Sequence, residues 1–547
     1  RLPRPVRCLS EVMKKEKDMN ENETPNVTAD PVTPDPAPQG APAYQPIPEE
    51  PVPQKKGFPK WILLIAVLAV VGVAAFFGIK ALAGGSPLTR AMAGVKKSFE
   101  ALEKNEYASL AKNVSESGSM TISVDLSKLA DMIHAEVPAK IELTTYANAK
   151  DSKAALEIDA QMKNKSILHG TLTASDEELA VACEQILGKK NYSLSFKDLS
   201  KNLPKSIFDP DSDTDYALPE ELYEWLVGLK NGPIAPMKEI AKEAKPILEE
   251  AAKLLKTSVE KNAEITKDSE TISIGDADVK TNTVTVKLNG EQAAKIMTDL
   301  LKWAKANKDL KNLITKFTTT YGPILEMEDE DIADFLDEFY DSIDEALEEM
   351  EDVEKDDVNL TAVFYLNKSN GQLVKAEITS KDDSGKTTYT LEGGPDWKDL
   401  AYCSVSMKDP YSKMNMTYTV EENTKSQYTA KVKVKEDNDT TMSMTCSWDK
   451  STGDLRITSS EAELKLTGTM TQKGKVTTIE LKKLEVGRFV SVKDLGTTIT
   501  LNESAKLPTV SKPTEVLKLS EDDIEALIED VQDAVQELME KVQDAMY

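Results

Sequence analysis

Cysteine and histidine are scarce: the 547-residue chain holds four of the first and two of the second. So few thiols exclude a disulfide-built scaffold, and so few thiols and imidazoles together exclude almost any zinc centre of Cys and His. Basic charge is also short. Lys and Arg total 67 against 94 Asp and Glu, a formal charge of −27, the wrong sign for a protein that neutralises nucleic-acid phosphates. The short catalytic signatures are missing too. Gly385-Lys386-Thr387 has no glycine at the offset a phosphate loop requires, and Gly468 and Gly474 lie one residue too far apart, with Val476 in place of Ser or Thr. Neither a Gly-x-Ser-x-Gly elbow nor a His-Glu-x-x-His pair occurs. His134 stands near a helix end and His169 in an alternating strand, and both read as structural.

Against these absences stands one long apolar run. Trp61 to Ile79 is uncharged over nineteen residues and bracketed by Lys60 and Lys80. At 1.5 Å per residue it reaches about 28 Å, close to the ~30 Å hydrocarbon core. A membrane helix over 60–83 is the reading. Ala81-Leu82-Ala83 resembles a signal cleavage site, but about sixty residues precede the run and its apolar length exceeds that of a signal peptide. No Leu-x-x-Cys lipobox lies nearby. Positive charges before the span (Lys55, Lys56, Lys60) and after it (Lys80, Arg90, Lys96, Lys97) do not orient it. The short, unfoldable N-terminal piece and the large acidic C-terminal piece place the N-terminus in the cytoplasm and the rest outside the cell. Pro25 to Pro59 contains eleven prolines in 35 residues, so 1–59 reads as a disordered tail, a spacer with Pro-x-x-Pro docking as the alternative. Met13 reads as the start of translation, which would leave Cys8 outside the protein.

Beyond the span the pattern is α+β. In the extracytoplasmic region 84–325, a helix is expected from Ala91 to Leu110. Short strands follow from Ser117 and helices from Pro219 to Lys230 and Pro236 to Lys256, the latter kinked or split by Pro246. TNTVTVKL then leads into a helical run from Glu291 to Phe317. Residues 326–357 are Asp or Glu at 18 of 32 positions, yet Ile332, Phe335, Leu336, Phe339, Ile343, Leu347 and Met350 recur at helical spacing, an apolar stripe on an acidic amphipathic helix. Residues 358–512 alternate apolar and polar side chains between turns such as Asn370-Gly371 and Thr452-Gly453, an extended antiparallel meander with one wet and one covered face. A C-terminal amphipathic helix over 513–547, opened by Ser520 and Asp523 as in a capping box, is expected to cover part of that sheet.

Two candidate sites emerge. Asp209, Asp211, Asp213, Asp215 and Glu220 occupy positions 1, 3, 5, 7 and 12 of a calcium-loop pattern, although Thr214 stands where glycine is wanted. The alternative is an Asp-rich turn capping the next helix. Met414, Met416, Met442 and Met444, with Met407 and Met470, fall on apolar positions of successive strands; a flexible, polarizable lining suits varied hydrophobic cargo, while an ordinary core is the alternative. Cys403 and Cys446 share that face and pair only if their strands are neighbours; otherwise they are free thiols.

Asn191–Leu226 (NYSLSFKDLSKNLPKSIFDPDSDTDYALPEELYEWL) and Thr281–Ala304 (TNTVTVKLNGEQAAKIMTDLLKWA) resemble single-span, Pro-rich-tailed envelope proteins of clostridia-like Gram-positive bacteria, a family of unknown function. The resemblance implies location in the cell envelope and supplies no catalytic or binding residues. The order of elements is similar to that of lipoprotein carriers whose curved antiparallel sheet holds helices in its hollow. The expectation is a non-enzymatic, membrane-anchored protein binding a hydrophobic or lipid ligand. A structural or adhesive surface protein and a cell-wall-acting enzyme are the alternatives.

Overall fold

The computed structural model describes residues 85–547 except 130–138, 164, 198, 213, 229–233, 322–328, 383–384, 489 and 547. The chain divides into Arg1–Lys56 and Gly57–Tyr547, and every described residue belongs to the second unit. The Pro-rich tail 1–59 and the apolar segment 60–83 lie outside the described residues, among which no helix is long and apolar enough to cross a membrane.

Period-two alternation of apolar with Thr, Ser and Lys produces twenty strands among the described residues. In order they are β1 Ser119–Asp125, β2 Ala139–Asn148, β3 Lys153–Met162, β4 Lys165–Ala174, β5 Glu178–Cys183, β6 Tyr192–Ser195, β7 Glu264–Ile274, β8 Ala277–Asn289, β9 Asn359–Asn367 and β10 Leu373–Asp382. The second half comprises β11 Gly385–Gly394, β12 Tyr402–Lys408, β13 Lys413–Asn423, β14 Gln427–Glu436, β15 Asp439–Asp449, β16 Asp454–Ser459, β17 Leu464–Lys473, β18 Val476–Val486, β19 Val490–Asn502 and β20 Thr514–Glu515. The helices are α1 Pro87–Leu102, α2 Glu106–Ser117, α3 Glu184–Leu187, α4 Leu199–Asn202, α5 Glu220–Gly228, α6 Ile234–Asn262, α7 Gly290–Ala306, α8 Lys308–Tyr321, α9 Asp329–Glu351 and α10 Glu521–Met546.

The expected meander is present: β9 to β19 pair in succession, each antiparallel to the next. It continues at both ends. β9 pairs with β8, which pairs with β7. At the other end β19 pairs with β1, placing Ser119 opposite Asn502, and β1 leads through β2, β3, β4 and β5 to β6 and the short parallel β20. Strands from 84–325 and from 358–512 thus share one sheet.

Helices cover part of its apolar face. Val284 and Val286 of β8, Phe364 and Leu366 of β9 and Ile378 of β10 are buried beneath Met92 and Val95 of α1 and Leu255 and Val259 of α6. Gly94 lets α1 approach, because a Cβ there would meet the Leu366 side chain. Of the kink or split expected at Pro246, the split does not occur: α6 is one helix from Ile234 to Asn262. Burial of Ile247, Ala252, Leu255 and Val259 supplies more than the roughly 3 kcal/mol a helical proline costs. The run expected from Ala91 to Leu110 is two helices, parted where the Asn105 side chain accepts from the Tyr107 and Ala108 N–H groups to begin α2. Likewise Asn307 ends α7 and caps α8, accepting from Leu310 N–H at 2.8 Å. The acidic helix is α9; its stripe residues Ile332, Ile343 and Met350 are buried, Met350 against Ala294 and Met297 of α7. α10 opens with the expected cap, Asp523 N–H donating to Ser520 Oγ at 3.2 Å, and it packs against α3. Ile524 in its first turn is buried, Leu527, Val531 and Leu538 are half-buried, and Ile528, Val535 and Met539 are exposed.

Candidate functional site

Directly opposed residues on neighbouring strands project to the same face. One such row runs Val284, Phe364, Ala376, Leu391, Val405, Met416, Val434, Met442 from β8 to β15. Its beginning is core, with Val284 and Phe364 under α1 and α6. From β11 onward no described element covers it, and Val405 is 53 %, Met416 47 % and Met442 40 % exposed. Met407 and Met414 face each other in the row beside it, and Cys403, Tyr418, Val432 and Met444 form the row on the other side. The four methionines singled out from the sequence therefore adjoin one another on one open apolar tract. Leu391, Val405 and Val434 belong to it equally; the signal for them was the same alternation, but their neighbours depend on register.

The tract is bounded by an aromatic cluster. Tyr107 of α2 lies over Tyr428 of β14 with ring centroids 5.1 Å apart, and the hydroxyls of Tyr418 and Tyr428 meet at 2.6 Å. Trp448 and Leu455 are buried beside them, with Met470 packed against the group, so Met470 serves core rather than the open tract. Burial pushes the Tyr107 phenol up to about 12 and raises that of Tyr428 further, its hydrogen bond with Tyr418 adding to the effect. Beyond the cluster, apolar residues continue in register through Ile479, Ile499, Ile122, Leu143 and Ile158, where Leu143 and Ile158 are again exposed.

The remaining candidates are dispersed. Cys403 and Cys446 stand on β12 and β15, three strand spacings or about 14 Å apart, and both are free, as is the buried Cys183. Asp209, Asp211 and Asp215 lie in the loop before α5 and Glu220 is its first residue, while Asp213 lies outside the described residues. Asp209 Oδ1 accepts the Asp211 N–H at 3.0 Å, and the Ser212 and Thr214 hydroxyls donate to the Ile207 carbonyl. Among the described residues no three Asp, Glu, His or Cys side chains gather as metal ligands.

On the opposite face of the sheet is a polar cleft of about 670 Å³ lined by Glu142, Glu157, Asp159 and His169, among others. Glu142, Asp159 and His169 are directly opposed across β2, β3 and β4. Burial raises the Asp159 carboxyl, but hydrogen bonds from Ser166 and Gln161 and the neighbouring His169 outweigh it and hold Asp159 below the usual carboxylate range. Such a group is a carboxylate at neutral pH and no proton donor. His134 lies outside the described residues. Comparison of the chain with protein-family models, with curated proteins and with solved structures gives no match.

Proposed function

We propose that this is a non-enzymatic, membrane-anchored protein of the cell envelope that holds a hydrophobic or lipid ligand on the open part of its sheet. The single helix 60–83 anchors it, with the N-terminal tail in the cytoplasm and the sheet outside. What carries the reading is the change of environment along one row: Phe364 is 4 % exposed under helices, and Val405, in the same row, is 53 % exposed. A contiguous open apolar surface of this kind marks a place where something apolar binds. Methionine at its centre suits ligands of varied shape, because an unbranched thioether repacks at small cost.

The test is the lipid that copurifies with the full chain from mild detergent, quantified by mass spectrometry beside a Val405→Lys/Met416→Lys variant. The wild type is expected to carry lipid that the variant loses. Equal lipid on both proteins would reject the tract as the site and leave a structural or adhesive role in front.

A further inference from the structure

Followed along its strands, the tract is covered at one end and open at the other. On β13 exposure falls from Met414 (50 %) through Met416 to the half-buried Tyr418, and on β15 from Met442 through Met444 to the buried Trp448. The covered end lies at the aromatic cluster where Tyr107 of α2 meets Tyr428. At the open end the strands turn, and the turn from β12 to β13 carries Tyr411, 86 % exposed. Asp409 shapes that turn, its carboxylate accepting the Tyr411 and Ser412 N–H groups at 2.7 and 2.6 Å. From Met414 to Tyr418 is four residues, about 14 Å of strand. One leaflet of a ~30 Å hydrocarbon core is about 15 Å deep, so the strand direction accommodates one acyl chain.

α1 starts at the same open end. Ser86 caps it, accepting the Thr89 N–H at 3.2 Å, and Leu88 lines a small cavity with Leu360 of β9. The ladder carries that level sideways: Leu360 faces Ser380, Ser380 faces Thr387, and Thr388 faces Lys408, the last residue of β12. A Cβ on Gly385 would meet Pro410, so the turns β10–β11 and β12–β13 adjoin. The proposed membrane helix ends at residue 83, three residues before Ser86, and three residues reach about 10 Å at most. A bilayer around that helix lies on the side of the open end, away from the end that α2 covers. The three turns there read KDDSGK, KDPYSK and KEDND, five lysines against six acids, so no excess of positive charge draws this end to anionic lipid. Tyrosine instead suits the head-group boundary of any bilayer. Building on the membrane-anchored, lipid-binding reading above, we infer that the β12–β13 turn rests on the bilayer that holds the anchor, with Tyr411 among its head groups, and that an acyl chain of that bilayer enters the tract past Met407 and Met414 and runs along the strands towards Tyr418.

The full chain, carrying the photoreactive residue p-benzoylphenylalanine in place of Tyr411 or of Lys425 on the β13–β14 turn at the covered end, is reconstituted in phosphatidylcholine vesicles and irradiated. Lipid adduct at position 411 is expected to exceed that at 425 by about tenfold. Tyr411→Asp should slow lipid uptake from vesicles severalfold and leave uptake of lipid supplied in detergent unchanged, because Tyr411 lies outside the tract. Absence of a lipid adduct at 411, in a protein whose copurifying lipid is still lost in Val405→Lys/Met416→Lys, overturns the docking while leaving the tract as a lipid site. Absence of both the adduct and that lipid overturns the tract as well. An adduct at 411 to a second copy of the chain assigns the turn to a protein contact and also overturns the inference.

Discussion

Val405 faces Met416 across the ladder of β12 and β13, and each leaves about half of its surface to solvent. Phe364, in the same row, leaves almost none. Single replacement of Val405 or Met416 by Lys is therefore expected to change unfolding free energy by no more than about 0.5 kcal/mol. Phe364→Ala should cost about 3–5 kcal/mol, because it empties space beneath α1 and α6. Denaturant unfolding of the three variants checks this, and a large loss from Val405→Lys would mean the tract is covered in solution.

The tyrosine cluster makes the fold sensitive to alkali. Tyr107 and Tyr428 hold their phenol protons more tightly when folded than the ordinary value of 10. Their contribution is complete below pH 10, where both are neutral in either state, and it is lost as pH rises through 10 towards 12. Phenolate absorbance should show a late-ionising group of tyrosines, Tyr107, Tyr428 and the Glu157-bonded Tyr146 among them, and melting temperature should fall over that interval. Ionisation of every tyrosine near pH 10 with no loss of stability would contradict the packing of α2 on β14.

Gly468 sits at a register shift between β17 and β18, where a Cβ would run into the Glu480 carbonyl oxygen. Backbone cannot move aside as a flexible side chain can. Gly468→Ala should cost about 1–3 kcal/mol in the same unfolding assay.

Calcium at millimolar concentration is expected to leave the melting temperature unchanged. The loop from Asp209 already uses one carboxylate oxygen and two hydroxyls to close on its own backbone. A rise of several degrees, abolished by Glu220→Gln, would show that these groups turn to an ion instead.

The local pattern was legible and the distant pairing was not. Alternation in KMNMTYTV and TTMSMTCSW put Met414, Met416, Met442 and Met444 on one face, and the structure keeps them there. The stripe on α9 was equally plain, since spacing of three and four suffices to define a helical face. What lies over a face depends on the fold as a whole. Nothing around Asn105 or Lys398 announces that the Asn105 side chain ties the start of α2 to the Lys398 carbonyl. Pro246 does not split α6 for the same reason, because its penalty is local and the burial that offsets it is not.

The pairing of Ser119 with Asn502 also constrains the order in which the molecule can be made. β1 is synthesised roughly 380 residues before its partner β19, and at 5–20 residues per second that delay is about 20–75 s. Throughout it, β1 presents an unpaired strand edge beside the half-exposed apolar residues of β2 and β3, the type of template that recruits other chains. Chains terminated before β19 should therefore aggregate, whereas chains ending just short of α10 should stay dispersed. The last strand of the meander is what closes that edge.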